Sequence, residues 1–291
     1  MYVSVISPVY NGAETISELI ESLLDQKYPR DSYEIIIVDN GSTDSTAEII
    51  KTYSGVRYVF EGVASSYAAR NAGARVARGD LLAFIDSDSR ADELWLLEAT
   101  KLMKRYGMVG GRILSKDSEK YYLVLFDEII QNANRELSIK NKKICGGNFF
   151  LKKVLFTEMG GFDGNVISGG DTLLSSIAWQ KGYSIGFAEK AIVYHPVDGF
   201  IKRFRRSFRI GSGSQMKRAA DKRNNGRISN LLERIFRERL LLQNARRGAK
   251  ITEGEYAVLW LFSLLMLIFD YLGAFWGSIL QLFCRKYMVR W

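Results

Sequence analysis

The chain has 291 residues, 47% hydrophobic and 25% charged, a composition that allows a full core and excludes a largely disordered protein. Its two cysteines, Cys145 and Cys284, are too few and too far apart for a disulfide framework, so we expect a reducing compartment. The net charge of +9 is concentrated in residues 201–250, which hold 16 Lys and Arg against three acids. Such a segment suits nucleic acid or an anionic membrane, and the membrane fits better because the most apolar part of the chain follows it.

The first 110 residues alternate short apolar runs with amphipathic patterns. Met1 leads directly into the first run, which predicts a strand and no signal peptide. Strands are predicted at Val3–Val9, Glu34–Val38, Val56–Phe60 and Leu81–Ile85, and helices at Ala13–Gln26, at the residues up to Tyr53, at Ser65–Ala77 and at Asp92–Tyr106. Strands that alternate with helices in this way predict a parallel, Rossmann-like sheet.

Two carboxylates close the fourth apolar run. Asp86 and Asp88 directly follow Leu81–Ile85, with one small residue between them. In an open α/β sheet the carboxyl ends of the strands line the ligand crevice. Paired carboxylates at that edge suit a divalent cation that also binds substrate phosphates. An Asp-x-Asp pattern alone is more typical of a solvated loop, so the neighbouring segments must decide between the two interpretations.

Residues 111–199 have a less regular pattern. Strands are predicted at Met108–Leu114 and Ala188–Tyr194, and helices at Tyr121–Leu137, Val154–Met159 and Asp171–Lys181. We interpret Cys145–Phe150 as a glycine-containing loop that allows close backbone approach.

Several motifs in order carry a family resemblance. They are Pro8-Val9-Tyr10-Asn11-Gly12, Val38-Asp39-Asn40-Gly41-Ser42-Thr43-Asp44, Ala69-Arg70-Asn71-Ala72-Gly73, Gly79-Asp80, Phe84-Ile85-Asp86-Ser87-Asp88, Gly160-Gly161-Phe162-Asp163 and Gly170-Asp171. Together they resemble the family 2 inverting glycosyltransferases over roughly residues 1–200. The resemblance implies a Rossmann-like GT-A fold with a central, mostly parallel sheet. Its catalytic domain would be residues 1–199, with a nucleotide-binding half at 1–110 and an acceptor half at 111–199.

The resemblance also assigns a nucleotide pocket. Asp39 matches the family residue that accepts a hydrogen bond from the base N3–H, a charge-assisted contact that selects a uracil-like edge. The turn that includes Pro8, Val9, Tyr10 and Asn11 would form the floor and edge of the same pocket. The plainer alternative is that Asp39 caps the following helix.

A second group of residues would hold the diphosphate and a divalent metal ion, Mn²⁺ or Mg²⁺. The resemblance places Arg70 on the phosphates, where a guanidinium binds bidentately, and Asn71 on the sugar or phosphate. Asp88 would be the direct metal ligand, and Asp86 would contact the ribose or the metal-bound water. His195 is the only histidine; a structural role and an approach to the metal or diphosphate are both open.

Asp171 matches the catalytic base of the family, which takes the proton from the acceptor hydroxyl. Gly170 stands where the family carries a Glu, a departure that concerns the orientation of the acceptor rather than the identity of the base. Helix capping by Asp171 is the alternative, and it is compatible with a role in a cleft.

The C-terminal third predicts association with a membrane. Residues 200–254 are predicted to form basic amphipathic interfacial helices, with a break at Gly211–Ser214 and a helix at Asn230–Arg247. Residues 255–291 are predicted to be hydrophobic, membrane-associated helices.

Tyr256–Cys284 holds one charge, Asp270, at its midpoint. A single span would place Asp270 near the bilayer centre, at a cost of about 2.5–3.5 kcal/mol. It would also carry the following basic residues across, against the positive-inside tendency. We therefore favour a re-entrant or in-plane hairpin broken near Asp270–Gly273. The spacing of Gly273 and Gly277 favours close helix packing, and a homo-oligomer through these helices is one expectation.

The expected function is metal-dependent inverting transfer of a sugar from a nucleoside-diphosphate sugar, with UDP as the expected nucleotide. The acceptor would be a lipid-linked or membrane-proximal glycan at the cytoplasmic face of the cell membrane. Transfer to a polyprenyl phosphate and a non-catalytic nucleotide-sugar-binding scaffold are the alternatives. Nucleic-acid binding is not expected, because the sequence lacks the pattern of stacking aromatics that it requires.

Overall fold

The computed structural model describes residues 1–116, 120–144, 146–164, 166, 168–220, 227–248 and 250–283. Cys145 and Cys284, on which the prediction about disulfides rests, lie outside these residues. The chain divides into two compact units. The first comprises Met1–Lys116, Arg135–Asn165 and Gly170–Pro196, and the second Asp117–Asn134, Val166–Gly169 and Val197–Trp291.

The first unit is built on a mixed sheet, which contains eight strands in the described part of the chain. They are β1 (Val3–Val9), β2 (Tyr33–Asp39), β3 (Val56–Phe60), β4 (Leu81–Ile85), β5 (Arg90–Ala91), β6 (Met108–Ser115), β7 (Asn148–Lys152) and β8 (Ile185–His195). Their spatial order is β3-β2-β1-β4-β7-β6-β8-β5. The predicted parallel, Rossmann-like arrangement of β1 to β4 is confirmed.

The direction of the strands determines which side chains meet at one edge. Strand β7 is antiparallel to both β4 and β6, and β8 is parallel to β6. Since two antiparallel steps restore the original direction, β8 runs the same way as β4. The carboxyl ends of β1, β2, β4 and β8 therefore lie along the same edge of the sheet.

Eleven α-helices are described along the chain. They are α1 (Ile16–Leu24), α2 (Thr46–Lys51), α3 (Ser66–Val76), α4 (Trp95–Met103), α5 (Tyr121–Phe126), α6 (Asn132–Lys140), α7 (Lys153–Glu158), α8 (Gly170–Gln180), α9 (Phe200–Ala220), α10 (Arg227–Arg247) and α11 (Glu253–Phe283). A 3₁₀ turn at Arg30–Ser32 precedes β2, and a π-helical turn at Asp127–Gln131 joins α5 to α6.

Helices cover both faces of the central strands, which explains why those strands read as continuous apolar runs. All residues of β1, β2 and β4 are buried. Helix α1 buries the apolar stripe Ile16, Leu19, Ile20 and Leu23 that its spacing predicted. Helix α3 comes very close to the sheet, because a Cβ at Gly73 would lie 2.5 Å from Cγ2 of Ile6.

Two strands were not predicted. Within the segment interpreted as a glycine-containing loop, Asn148–Phe150 belong to β7, which lies between β4 and β6. Strand β5 has only two residues and pairs with Tyr194 and Val193 of β8. Both depend on partners far away in the sequence, so local periodicity gives no signal for them.

Two predicted helix breaks in the second unit are wrong. Helix α9 continues through Gly211–Ser214, and α11 continues through Asp270–Gly273 as one helix of 31 residues. The hairpin prediction therefore fails. The physical reason is a close helix crossing, because a Cβ on Gly211 would overlap the carbonyl oxygen of Asp270 and one on Gly273 would overlap that of Phe208. These glycines allow α9 and α11 to touch rather than ending either helix.

Polar pairs lie inside the second unit. Arg203 forms a bidentate ion pair with Asp127, with N–O distances of 2.7 and 2.6 Å. The Ser263 hydroxyl donates to the buried carboxylate of Glu238, and burial is the main cause that raises the pKa of Glu238. The apolar residues around these pairs include Phe126, with its ring centroid 4.8 Å from that of Phe262.

Candidate active site

The predicted site residues gather at the edge where the parallel strands end. Asp39 is the last residue of β2, Asp86 and Asp88 follow β4, and His195 is the last residue of β8. Asp171 lies in the first turn of α8. This is the edge at which open α/β sheets bind ligands.

Asp39 is held between two donors. Its Oδ1 accepts a hydrogen bond from the backbone N–H of Ser42 at 2.9 Å, and its Oδ2 accepts one from the hydroxyl of Tyr58, also at 2.9 Å. Burial, followed by the contact with Asp39, raises the pKa of Tyr58 to about 12, so the hydroxyl keeps its proton, and remains a donor, to higher pH than an ordinary tyrosine. A carboxylate has about four acceptor positions, so Asp39 retains capacity for a further donor.

The turn after β1 is fastened to the turn after β2. The Asn11 N–H donates to Ser42 Oγ at 2.9 Å, and Asn11 Oδ1 accepts from the Thr43 N–H at 2.8 Å. Asn11 has a φ of +49°, which asparagine tolerates better than most residues. In the register, Pro8 pairs with Val38 and Val9 with Asp39.

Two further residues complete this corner of the sheet. Tyr10 follows β1 and is largely exposed. Asn40, which stands where the family often carries a second Asp, donates from Nδ2 to the carbonyl oxygens of Glu61 and Val63. Asn40 thus holds the segment that leads from β3 to α3.

Arg70 reaches the carboxylate that follows β4. Its Nη2 lies 2.6 Å from Asp86 Oδ1, and the guanidinium is almost entirely buried. A Cβ on Gly147 would overlap the Asp86 carboxyl, so only glycine fits there. Asn71 uses both ends of its amide on Phe162, accepting from its N–H at 2.9 Å and donating to its carbonyl at 2.8 Å. The structure thus brings Arg70 to Asp86, while Asn71 holds the loop before α8.

Asp88 and His195 face each other. Asp88 Oδ1 lies 3.3 Å from His195 Nε2, and His195 Nδ1 lies 2.8 Å from the carbonyl oxygen of Pro196. Because a carbonyl oxygen can only accept, Nδ1 carries the hydrogen in this pair. Nε2 therefore points at the carboxylate of Asp88.

The Asp171 carboxylate lies beside Gly146, the residue before the Gly147 that makes room for Asp86. Its Oδ2 accepts from the Gly146 N–H at 2.5 Å, and its Oδ1 accepts from the Thr172 N–H at 2.9 Å. Asp86 contacts the next residue, Gly147. The two carboxylates are thus held against consecutive residues, which places Asp171 close to the end of β4.

Two residues that shape this site, Tyr58 and Tyr67, were not predicted, and the close approach at Gly147 was predicted without its partner Asp86. Tyr58 holds Asp39, Gly147 makes room for Asp86, and Tyr67 accepts from the Gly170 N–H at 2.8 Å. Tyr58 had one available signal, since it lies two residues before the end of β3 and β3 pairs in register with β2. Contacts between distant segments create the other two roles, and a single sequence does not show them.

A mixed α/β sheet with a buried Asp and an Asp-x-Asp at its carboxyl edge defines the GT-A class of nucleotide-sugar-binding proteins. The model of Glycosyl transferase family 2 matches residues 4–160. The chain belongs to this family, and it is a glycosyltransferase.

Comparisons with known proteins agree with this assignment. The chain is 33% identical over 226 residues to the glycosyltransferase AglE of Haloferax volcanii, a match that covers 73% of this chain and 72% of that protein. Its fold is similar to that of the mannosyltransferase PcManGT of Pyrobaculum calidifontis, solved with GDP-Man and Mn²⁺, with a TM-score of 0.67, 20% identity and coverage of 98% and 88% of the two chains. TarS of S. aureus, solved with UDP-GlcNAc, gives a TM-score of 0.55 at 16% identity, covering 96% and 92%.

Proposed function

We propose that this glycosyltransferase transfers a sugar, with inversion, from a nucleoside-diphosphate sugar to a hydroxyl group of a lipid-linked or membrane-proximal glycan. One observation carries the proposal. At the carboxyl edge of β4, Arg70 pairs with Asp86 and His195 faces Asp88, while Asp171 accepts from Gly146, the neighbour of the Gly147 that lies beside Asp86. This arrangement suits a donor diphosphate on one side and an attacking hydroxyl on the other.

Asp39 would select the base of the donor. Its buried carboxylate is fixed by Ser42 and Tyr58 and keeps acceptor capacity for a base N–H. A uracil N3–H fits such an acceptor, so UDP is the proposed nucleotide. Pro8, Val9, Tyr10 and Asn11 would line the same pocket. Arg70 would bind the diphosphate, and Asn71 would act on that side mainly by holding the Phe162 loop.

Asp88 and His195 fit a divalent cation, Mn²⁺ or Mg²⁺. The Pro196 carbonyl lies 2.8 Å from Nδ1 of His195, and Nε2 faces a carboxylate oxygen of Asp88 at 3.3 Å. An imidazole held in this way at its other nitrogen is typical of histidines that bind metal ions. Asp86 is already paired with Arg70, which leaves it for the ribose or for metal-bound water. When bound, the cation would supply Lewis-acid stabilisation of the leaving nucleoside diphosphate.

Asp171 would be the general base. It lies in the first turn of a helix, where its carboxylate oxygens accept hydrogen bonds from the Gly146 and Thr172 N–H groups. An ionised carboxylate at this position can accept the proton of the acceptor hydroxyl as the hydroxyl attacks the anomeric carbon.

The test of this assignment is Asp171→Asn. The variant keeps the shape of the side chain and loses its basicity, so we expect transfer to fall by about 10²–10⁴-fold while donor affinity stays within a few-fold of the unmodified protein. Transfer rates with a glycan acceptor and calorimetry with the donor measure the two effects. Transfer that stays within a few-fold of normal would exclude Asp171 as the base.

Membrane attachment rests on the pattern of helix α11. Its stretch Glu253–Trp276 is long and apolar enough to cross a membrane, a test that buried core helices also pass. Glu253 at the start of the helix is exposed. From Val258 onwards the exposed side chains are apolar or aromatic and 38–61% exposed; they are Val258, Leu261, Leu265, Ile268, Tyr271, Leu272, Phe275 and Trp276. Two polar residues in the middle of the helix face inward: Ser263 contacts Glu238 and Asp270 contacts Arg234.

Polar groups inside and apolar groups outside are the reverse of the distribution in a water-soluble helix. In a bilayer this distribution is the favourable one, because lipid solvates the apolar face and the polar groups find partners within the protein. We therefore place the outer face of α11 against lipid, at the cytoplasmic face of the cell membrane, where it would hold the enzyme near its acceptor.

A further inference from the structure

Helix α8, which carries Asp171, begins at Gly170, and the backbone of Gly170 is hydrogen-bonded to a side chain of α3. The first N–H groups of a helix have no partner within the helix. That of Gly170 donates to the hydroxyl oxygen of Tyr67 at 2.8 Å, in a buried contact across 103 residues of sequence. The tyrosine thus caps the start of the helix from a different element.

The ring of Tyr67 also fills the space beside Gly170. A Cβ at position 170 would lie 2.7 Å from Cε1 and 2.8 Å from Cζ of that ring, and real side chains do not approach so closely. The position at which the family carries an acidic side chain is therefore occupied here by a tyrosine ring from α3. The Tyr67 ring can occupy this space because position 170 has no side chain, and a larger residue at position 170 would displace the ring.

Three further residues of α3 and its cap fix the same surroundings. Ser65 Oγ donates to the Gly164 carbonyl at 3.1 Å, and Asn71 holds both backbone groups of Phe162. The Phe162 ring packs on Tyr67 with centroids 5.3 Å apart. One turn after Tyr67, Arg70 binds Asp86. The same helix thus contacts the donor side of the site and the start of the base helix.

We propose that Tyr67 is a positioning residue for Asp171, which takes over through its hydroxyl and ring the place of the acidic residue that precedes the base elsewhere in the family. The inference rests on the proposed role of Asp171 as base. By fixing the N–H of Gly170, Tyr67 sets where the Asp171 carboxylate stands relative to the acceptor hydroxyl. A small displacement of a positioned catalytic group is costly, reaching about 10²-fold for 1 Å.

The test is a double-mutant cycle with Tyr67→Phe and Asp171→Asn. Tyr67→Phe keeps the ring and removes the acceptor for the Gly170 N–H, so we expect kcat for transfer to fall about tenfold with little change in donor affinity. In the Asp171→Asn background the same change should have almost no further effect, because a group that acts through Asp171 has nothing left to position. Tyr33→Phe is the matched control, since Tyr33 is also buried and its hydroxyl bonds only to backbone, donating to the carbonyl oxygens of Leu23 and Leu24; we expect normal kcat.

The outcomes are distinguishable from failure of the proposed function. Full activity of Asp171→Asn alone would remove the base assignment and, with it, this inference. If instead Asp171→Asn is impaired, a tenfold loss from Tyr67→Phe that is equal in both backgrounds would show a purely structural role and overturn the proposal. Normal kcat in Tyr67→Phe would overturn it as well. Gly170→Ala, whose Cβ meets the ring, provides a second perturbation of the same contact and should show the same non-additivity with Asp171→Asn.

Discussion

At the scale of single residues, Asp39 and Asp88 should have separable effects on donor binding. Asp39 is fixed by the donors Ser42 and Tyr58, and Asp88 faces His195. We expect Asp39→Ala to weaken the binding of uridine and of UDP alike, by about 1.5–3 kcal/mol, the range typical of one charge-assisted hydrogen bond. Asp88→Ala should leave uridine binding unchanged and abolish the metal dependence of UDP binding. Calorimetry with both ligands, with and without Mn²⁺, measures this, and identical behaviour of the two variants would contradict the assigned roles.

The contact between Tyr58 and Asp39 should make the stability of the folded protein depend on pH in the alkaline range. Burial and the Asp39 carboxylate raise the pKa of Tyr58 to about 12, above the ordinary value of about 10. An unfolded chain therefore loses the Tyr58 proton before the folded one does. The contribution of Tyr58 to stability is fully present below pH 10 and is lost as the pH rises towards 12. Denaturant unfolding from pH 9 to pH 12 should show a steeper loss in the unmodified protein than in Tyr58→Phe, and parallel curves would refute the idea.

At the scale of elements, one glycine of α9 and one of α11 show why sequence periodicity misjudged the C-terminal helices. Glycine usually weakens a helix, so Gly211 and Gly273 indicated breaks. In the structure they lie at a helix crossing and permit backbone contact that no other residue would allow. The contacts that decide this come from another helix, and local pattern does not contain them.

The first unit was easier to predict because most of its strands and site residues are marked by local features of the sequence. Strands β3 and β4 have the predicted bounds, and Asp86 and Asp88 follow β4 as expected. Continuous apolar runs and residues at strand ends are local features. Strand β7 and the contact between Tyr67 and Gly170 are not local, because each joins segments more than 60 residues apart.

Because of the helix crossing, replacing two glycines of α11 by alanine should change the free energy of unfolding in opposite directions. Gly273→Ala puts a Cβ into the backbone of α9, so we expect a loss of about 1–3 kcal/mol in unfolding free energy from overpacking. Gly254→Ala adds a methyl with nothing within 4 Å and should stabilise by up to about 1 kcal/mol, the helix-propensity difference. Urea unfolding of the detergent-solubilised protein tests both. Equal effects of the two changes would argue against the crossing.

At the scale of the whole molecule, fewer of the basic side chains in residues 201–250 are available to a membrane surface than the composition indicates. Arg203, Arg206, Arg234 and Arg246 form ion pairs with acidic residues of the same unit. Charges paired within the protein contribute less to attraction by an anionic surface. Attachment should therefore depend more on the apolar face of α11 than on salt-sensitive contacts of residues 201–250.

Substitutions on that face test attachment better than deletion of the helix. Leu259, Phe262 and Met266 of α11 belong to the core of the second unit, so removing residues 255–291 would also remove part of that core. Leu261→Ser with Ile268→Ser changes only exposed positions. We expect this double variant to lose most of its flotation with phosphatidylcholine vesicles that contain phosphatidylglycerol, while donor hydrolysis in solution is unchanged.

The control is Val154→Ser, which replaces an equally exposed apolar residue of α7 in the first unit; its flotation should remain normal. Raising the salt concentration should release only a minor fraction of the unmodified protein, since the hydrophobic contribution is not screened by ions. A second copy of the chain is the other occupant that the apolar face would suit. If the double variant still floats and sedimentation instead shows a dimer becoming a monomer, then α11 binds another protein molecule, and lipid attachment through this face is wrong.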